Sequence, residues 1–196
     1  MSLTQAQKDA RRALEDPDLI GRVYEAYESE CHRRLDMEVP VVGVVGHGQA
    51  GKDTFAQYLA QYGPWRVGRS TSAAAAPLIA RIYDEDVETL FERRREHRQY
   101  WYEFCCELRE SDPALLSKMV ASTGDIVIGL RDSEELEATR RDRVTKCIFW
   151  VERPDVDSDP TTKVTREQCD LIVVNSGSMD ELREKARAVA SLAGCL

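Results

Sequence analysis

The residues best suited to chemistry stand together in the stretch 41–54, which reads VVGVVGHGQAGKDT. Gly46 and Gly51 are separated by four residues and Lys52 follows directly, which is the spacing of loops that bind phosphate. Glycines let the backbone curl so that successive N–H groups point at phosphate oxygens, and the lysine adds a mobile positive charge. The stretch therefore predicts a phosphate-binding loop between a strand and a helix.

The same loop contains a candidate ligand for Mg²⁺. The strict pattern has Ser or Thr directly after the lysine, whereas Asp53 stands there and Thr54 comes next. A hydroxyl one residue later still lies in the first helical turn, so Thr54 is the expected metal ligand. The competing interpretation is a glycine-rich turn of another kind of α/β protein. The residues expected to contact the phosphates are Gly46, Gly48, Gln49, Ala50, Gly51, Lys52, Asp53 and Thr54.

Arginines form the second group with the right chemistry for an anionic ligand. Arg94, Arg98 and Arg109 are spaced by four and eleven residues. That spacing places them on one side of a helix. Residues 77–120 are expected to be helical, with another helix starting at Ser111-Asp112-Pro113 and ending near 123–124. The competing interpretation is a solvated helix face. Arg131 follows an apolar stretch that reads as a strand, and doubly wound sheets bind ligands at the carboxyl ends of their strands.

Apolar, β-branched stretches alternate with helical ones, and this pattern predicts an α/β fold with a central, mostly parallel sheet. The strands are expected at 40–45, 65–67, 125–131, 146–151 and 171–174. Hydroxyl-capped helices are expected after Ser70 and from Ser133, and a closing helix over 179–193. The polar segment 152–168 contains two prolines, and a loop of that length predicts a lid.

The chain before the first strand reads differently. Residues 2–38 have a loose apolar stripe at helical spacing, with a break at Asp16-Pro17. They are expected to form an N-terminal helical extension with solvated charged faces. The main domain is expected over 39–196.

Composition limits the classes of partner. The chain has a net charge of −8, which argues against a nucleic-acid polymer or a membrane surface, because proteins that bind those are usually basic. No apolar stretch approaches membrane-spanning length, and the first residues lack the apolar centre of a signal peptide. The six cysteines show no C-x-x-C spacing, which predicts reduced thiols and a cytoplasmic protein.

Over roughly residues 40–192 the chain resembles the P-loop nucleoside-monophosphate kinases, and most of all the deoxynucleoside monophosphate kinases of bacteriophages. The motifs that carry the resemblance are Gly-Lys-Asp-Thr at 51–54, Ser-Thr-Ser-Ala at 70–73, the arginine-bearing helix, Ile-Gly-Leu-Arg at 128–131 and Asn-Ser-Gly-Ser at 175–178. The resemblance implies a P-loop NTPase-type three-layer fold, with a helical acceptor-binding region over about 70–122. For a protein of phage origin it also implies the host cytoplasm as the location.

The resemblance further implies ATP as phosphoryl donor, Mg²⁺ as its metal and a nucleoside monophosphate as acceptor. Catalytic roles would fall to Lys52, Arg98 and Arg131. The residues expected to hold the acceptor are Ser70, Ser72, Arg94, Arg98, Tyr102, Arg109 and Arg131. The family's nucleotide-base turn matches Asn175, Gly177 and Ser178. In the lid, the candidates to reach the transferring phosphoryl group are Arg153 and Arg166.

Two positions depart from the family's pattern. Gly129 stands where relatives often carry a strand-end aspartate, so no second acid that would support Mg²⁺ is identified. Tyr102 stands where a glutamine is expected, so the accepted bases are not predicted. The first forty residues are not covered by the resemblance.

The expected function is ATP-dependent phosphorylation of (deoxy)nucleoside monophosphates to diphosphates. Two alternatives fit the residues. One is a kinase of another small acceptor such as dephospho-coenzyme A, and the other is a P-loop ATPase or nucleotide-switched binding module. The arginines favour an anionic acceptor, which a switch protein does not need. Whether the protein forms a homodimer is left open by the sequence.

Overall fold

The computed structural model describes residues 3–16, 18–22, 39–160 and 162–192 of the 196-residue chain. Across those ranges the sheet strands are β1 (Val42–Val45), β2 (Ile126–Ile128), β3 (Cys147–Glu152) and β4 (Leu171–Val174). They are all parallel and lie in the order β2-β1-β3-β4. The predicted α/β class is confirmed, and the sheet is parallel throughout its described strands.

Two of the expected strands differ most from their predicted bounds, whereas β1 and β3 differ by one or two residues. The short strand expected at 65–67 is a single parallel bridge between Val67 and Ile126 of β2. The strand expected over 125–131 already ends at Ile128, and Gly129, with a φ of 99°, turns the chain out of the sheet. The last strand, 171–174, matches its predicted bounds.

Helices pack on both faces of the sheet. They are α1 (Gln5–Leu14), α2 (Lys52–Tyr62), α3 (Thr71–Tyr83), α4 (Val87–Glu92), α5 (Arg98–Ser111), α6 (Leu115–Ala121), α7 (Ser133–Arg141) and α8 (Met179–Ala190). Short 3-10 turns occupy Arg93–Arg95 and Arg166–Gln168. The hydroxyl cap expected before α3 is confirmed, because Ser70 Oγ accepts a hydrogen bond from the N–H of Ala73. The cap of α7 is the Asp132 carboxylate, one residue before the expected Ser133.

The helical stretch expected over 77–120 has the break predicted at Ser111-Asp112-Pro113 and further breaks that were not expected. The chain there forms α3, α4, α5 and α6 with breaks between them. Asp84 ends α3 in a left-handed conformation with a φ of 53°, and the Asp86 side chain caps the start of α4. Asp112, directly before Pro113, ends α5 in an extended conformation. Local capping chemistry therefore interrupts a stretch whose composition is helical throughout.

The two faces of the sheet bury different helices. Phe55 of α2 and Leu182 of α8 pack with Val44 and Phe149 on one face, and the rings of Phe55 and Phe149 lie 6.1 Å apart. The opposite face, which includes Trp150, packs in a second core with α3, α5 and α6. A sheet between two helical layers is the architecture of three-layer α/β proteins.

The N-terminal helix is packed on this second helical layer. Ala6, Ala10 and Ala13 of α1 are fully buried in the core that also contains α3 and α5. Small side chains at this spacing let two helices approach closely on one face. Of the predicted extension, residues 23–38 and Pro17 of the break lie outside the described residues.

Asp9 links α1 to this layer by hydrogen bonds whose contribution to stability can be tested. Its buried carboxylate accepts hydrogen bonds from the hydroxyls of Tyr83 (3.3 Å) and Tyr100 (2.9 Å). Replacing Asp9 with alanine should lower the free energy of unfolding by about 1.5 kcal/mol, because a buried charged acceptor is lost. Urea denaturation measures this, with the exposed Asp18→Ala as control. Equal stabilities of the two variants would contradict the attachment.

Candidate functional site

The parallel strands all end at one edge of the sheet, and the loops that follow them meet there. These loops are 46–51 after β1, 129–132 after β2, 153–165 after β3 and 175–178 after β4. β2 lies on one side of β1 and β3 on the other, so the strand order reverses at β1. Open parallel sheets bind ligands at such a point. Residues 46–51 are named the glycine loop, and residues 153–165 the strap.

The glycine loop needs its glycines at two positions for steric reasons. A Cβ on Gly46 would lie 2.3 Å from the carbonyl oxygen of Val151 in β3. Gly51 has a φ of 92°, and a Cβ there would lie 2.5 Å from Nδ2 of Asn175. Gln49 also adopts a left-handed conformation, with a φ of 63°. The loop is therefore curled tightly against the ends of β3 and β4.

Asn175 supports the glycine loop from the end of β4. Its Nδ2 donates a 2.9 Å hydrogen bond to the carbonyl oxygen of Ala50, and both residues are buried. Gly177 and Ser178, which the base-turn resemblance groups with it, are exposed. Ser178 caps α8, and its Oγ accepts a hydrogen bond from the N–H of Glu181. The Asn175 amide is thus engaged with the loop backbone.

The role of this amide gives a testable prediction. Replacing Asn175 with alanine should lower the free energy of unfolding by about 1 kcal/mol, because the buried carbonyl of Ala50 loses its donor. Thermal or urea unfolding measures the change. Ser176→Ala, at the exposed neighbouring position, is the control and should have no effect. An Asn175→Ala protein as stable as the control would show that this bond contributes nothing.

Lys52 lies at the junction of the glycine loop and α2. Its Nζ is 3.7 Å from Oδ2 of Asp53, and its side chain is 14% exposed, whereas that of Asp53 is 78% exposed. Thr54 is half-buried in the same turn. The first N–H groups of a helix have no partners within the helix and carry partial positive charge. A lysine together with these donors suits a phosphate group.

Arg131 stands three residues after β2 and contacts the strap. Its Nη1 lies 3.5 Å from Oδ2 of Asp159. Its backbone carbonyl accepts hydrogen bonds from the N–H groups of Lys163 (2.6 Å) and Val164 (3.3 Å). The N–H of Asp159 donates to Nδ1 of His47 in the glycine loop, at 3.2 Å. The strap therefore lies across both the glycine loop and the loop after β2.

Arg109 lies beside an acid at the start of α7. Its Nε is 3.7 Å from Oε2 of Glu135, an ion pair longer than a hydrogen bond, and Glu135 is 2% exposed. Burial raises the pKa of Glu135, and the positive charge of Arg109 partly offsets this. Burial lowers the pKa of Arg109, but Glu135 raises it, and the net pKa lies above the usual value. The charge of Arg109 is thus partly balanced within the fold.

The three arginines expected on one helix face do not share a helix. Arg94 lies in the 3-10 turn, where its guanidinium packs 4.0 Å from the Phe91 ring centre and donates to the Phe91 carbonyl. Arg98 is exposed at the first residue of α5. Arg109 follows on the same side of α5, about 16 Å farther along the axis. The expected single arginine face is therefore wrong, because the helix begins only at Arg98.

The other predicted site residues lie on α3, on α5, in the strap and in the 3-10 turn after it. Ser72 is half-buried in the first turn of α3. Tyr102 is largely exposed on α5, one turn after Arg98. Arg153 is exposed at the start of the strap, and Nη1 of Arg166 donates to both carboxylate oxygens of Glu152, at 3.1 and 3.2 Å. The described strap residues, 153–160 and 162–165, are irregular, whereas Glu152 still belongs to β3 and Arg166–Gln168 form a 3-10 turn.

For three residues of this edge, no sequence motif predicts a role at the site. The ring of His47 packs edge-on against Trp150, with ring centres 5.1 Å apart, and Trp150 is buried near the end of β3. Asp159 contacts both His47 and Arg131. An aromatic residue near the end of a predicted strand was the only signal for Trp150. No signal existed for Asp159, because its position depends on the path of the strap.

No protein-family model, curated protein or solved structure matches this chain. Among the described residues, no helix is both long and apolar enough to cross a membrane. The class of protein is therefore defined by fold and site alone. It is a parallel α/β protein with a lysine-bearing glycine loop where the strand order reverses.

Proposed function

We propose that the protein transfers the γ-phosphoryl group of ATP to the phosphate of a nucleoside monophosphate, preferably a deoxynucleoside monophosphate. The observation that carries the proposal is that the glycine loop and Arg131 both lie close to the carboxylate of Asp159. Oδ2 of Asp159 lies 3.5 Å from Nη1 of Arg131 and 3.5 Å from a Cβ built on Gly48. The glycine loop and an arginine after the neighbouring strand are therefore within reach of one anion.

Each element then has a role in the transfer. Lys52, the loop N–H groups and the start of α2 bind the phosphates of ATP. Arg131 binds the acceptor phosphate, because a guanidinium can donate two parallel hydrogen bonds to phosphate oxygens. A bond forms between an acceptor oxygen and the γ-phosphorus, the bond to the β–γ bridging oxygen breaks, and ADP leaves. The acceptor becomes a diphosphate, and catalysis consists mainly of positioning and charge neutralisation.

The residues around Thr54 fit a Mg²⁺ ion that is already coordinated by the phosphates of a nucleotide and by water. Thr54 lies in the first turn of α2, two residues after Lys52. Within the described ranges, no three His, Cys, Asp or Glu side chains form a metal-binding group. Mg²⁺ commonly keeps waters and uses few protein ligands beside the phosphates, so one hydroxyl is sufficient. When bound, the metal ion neutralises charge on the phosphates.

The test is an acceptor screen. The protein is incubated with ATP, Mg²⁺ and each (deoxy)nucleoside monophosphate in turn, and ADP is detected by a coupled assay. We expect ADP formation that depends on at least one monophosphate. ADP formed equally without acceptor would indicate an ATPase, and formation only with dephospho-coenzyme A would indicate another small-molecule kinase. Either result would overturn the proposed acceptor class.

A further inference from the structure

Asp159 of the strap lies beside His47 of the glycine loop and Arg131. Its side chain is only 22% exposed although it belongs to a polar loop. Its N–H donates to His47, and the strap residues Lys163 and Val164 donate to the backbone of Arg131. Val164 is also buried in the core. The position of the carboxylate is therefore determined by contacts on both sides of it.

The carboxylate occupies the kind of place that a phosphate oxygen would take. One of its oxygens lies 3.5 Å from the guanidinium of Arg131 and close to the backbone of Gly48. In the proposed function the glycine loop binds the donor and Arg131 binds the acceptor, so the phosphate between them is the transferred γ-phosphate. A carboxylate and a phosphate are both oxygen anions that bind the same donors. They repel each other at short range and cannot occupy the same position.

We infer that Asp159 is an internal occupant of the terminal-phosphate position, and that the strap leaves His47 and Arg131 when a nucleotide triphosphate binds. The inference rests on the proposed function for the identity of the ligand. It adds that the γ-phosphate, and not the α- or β-phosphate, competes with a group of the protein. The strap thus keeps the site closed by an ion pair until the triphosphate replaces it.

The test compares ligands that differ in this one phosphate. Binding of the non-hydrolysable ATP analogue AMP-PNP and of ADP, each with Mg²⁺, is measured by calorimetry for the wild type and for Asp159→Asn. Removing the negative charge should tighten AMP-PNP binding about fivefold, because the wild type must first break the ion pair between Asp159 and Arg131, and partly exposed pairs contribute up to about this much. ADP binding should change less than twofold, because ADP has no γ-phosphate.

A matched control comes from the same strap. Asp157 is exposed, and Asp157→Asn removes the same charge from the same segment. It should leave the affinities for both nucleotides within twofold of the wild type. Asp159→Ala provides a second variant in case the asparagine amide forms a new bond with the ligand, and circular dichroism checks that each variant is folded.

The outcomes separate the inference from the proposed function. Unchanged or weaker AMP-PNP binding by both Asp159 variants overturns the inference, and equal tightening for ADP does the same. If AMP-PNP binds the wild type and Lys52→Ala abolishes this, the donor site stands whatever Asp159 does. If the wild type binds neither nucleotide, binding of AMP-PNP by Asp159→Asn would support both the donor site and the inference. If Asp159→Asn also binds neither nucleotide, both are overturned.

Discussion

Lys52→Ala should lower kcat by a hundredfold or more in the reaction identified by the acceptor screen. This corresponds to about 3 kcal/mol of transition-state stabilisation, a typical loss when one cation or donor aimed at developing charge is removed. The physical reason is that Lys52 is the cation of the glycine loop, at the start of α2. Among the described residues, the acid that pairs with Lys52 is the exposed Asp53, at 3.7 Å.

Steady-state kinetics with saturating substrates measure this effect. Lys146→Ala is the matched control, because Lys146 is exposed and lies next to the start of β3, at the opposite edge of the sheet. The control should keep kcat and stability unchanged. The melting temperature of Lys52→Ala should also stay near that of the wild type, since the proposed role is ligand binding. Near-normal turnover by a folded Lys52→Ala protein would disprove the donor site.

Arg131 should show the second large effect, on the acceptor. Arg131→Lys should raise the KM for the monophosphate at least tenfold, because an ammonium group cannot reproduce the two parallel donors of a guanidinium. Arg131→Ala should raise it by roughly 10- to 150-fold, the equivalent of a charge-assisted contact of 1.5–3 kcal/mol. In both variants the KM for ATP should change much less than the KM for the monophosphate.

The ratio of the two KM values makes the result specific. Arg141 lies at the end of α7, is exposed and pairs with its neighbour Asp142, so Arg141→Lys is a matched control with no expected effect. Equal changes in the KM for ATP and for the monophosphate would mean that the acceptor site is misplaced. No monophosphate dependence in any variant would favour the ATPase or switch protein.

The local structure around the glycine loop was predictable from the sequence. The stretch before Gly46 is apolar and β-branched and forms β1, and the helix after Gly51 begins at Lys52. Gly63 ends that helix, as expected from the Gly-Pro pair at 63–64. Such features depend on the backbone preferences of a few neighbouring residues, which are visible in a single sequence.

The partners of the arginines could not be predicted from residue spacing. Spacing alone places Arg94, Arg98 and Arg109 on one helix face, but the turn at 93–97 separates the first from the other two. Once the helix begins at Arg98, the Phe91 ring holds Arg94 and the buried Glu135 holds Arg109. These partners are distant in sequence or depend on a local break, so periodicity could not reveal them.

By itself the sequence determined the parallel α/β class, the glycine loop and the position of Arg131 after a strand, because each depends on short-range patterning. Only the tertiary structure decided that Asn175 supports the loop and that Asp159 lies against His47 and Arg131. The residues in these pairs are 28 to 125 positions apart in the chain. Such contacts exist only after the sheet order brings the four strand ends to one edge, which no local preference encodes.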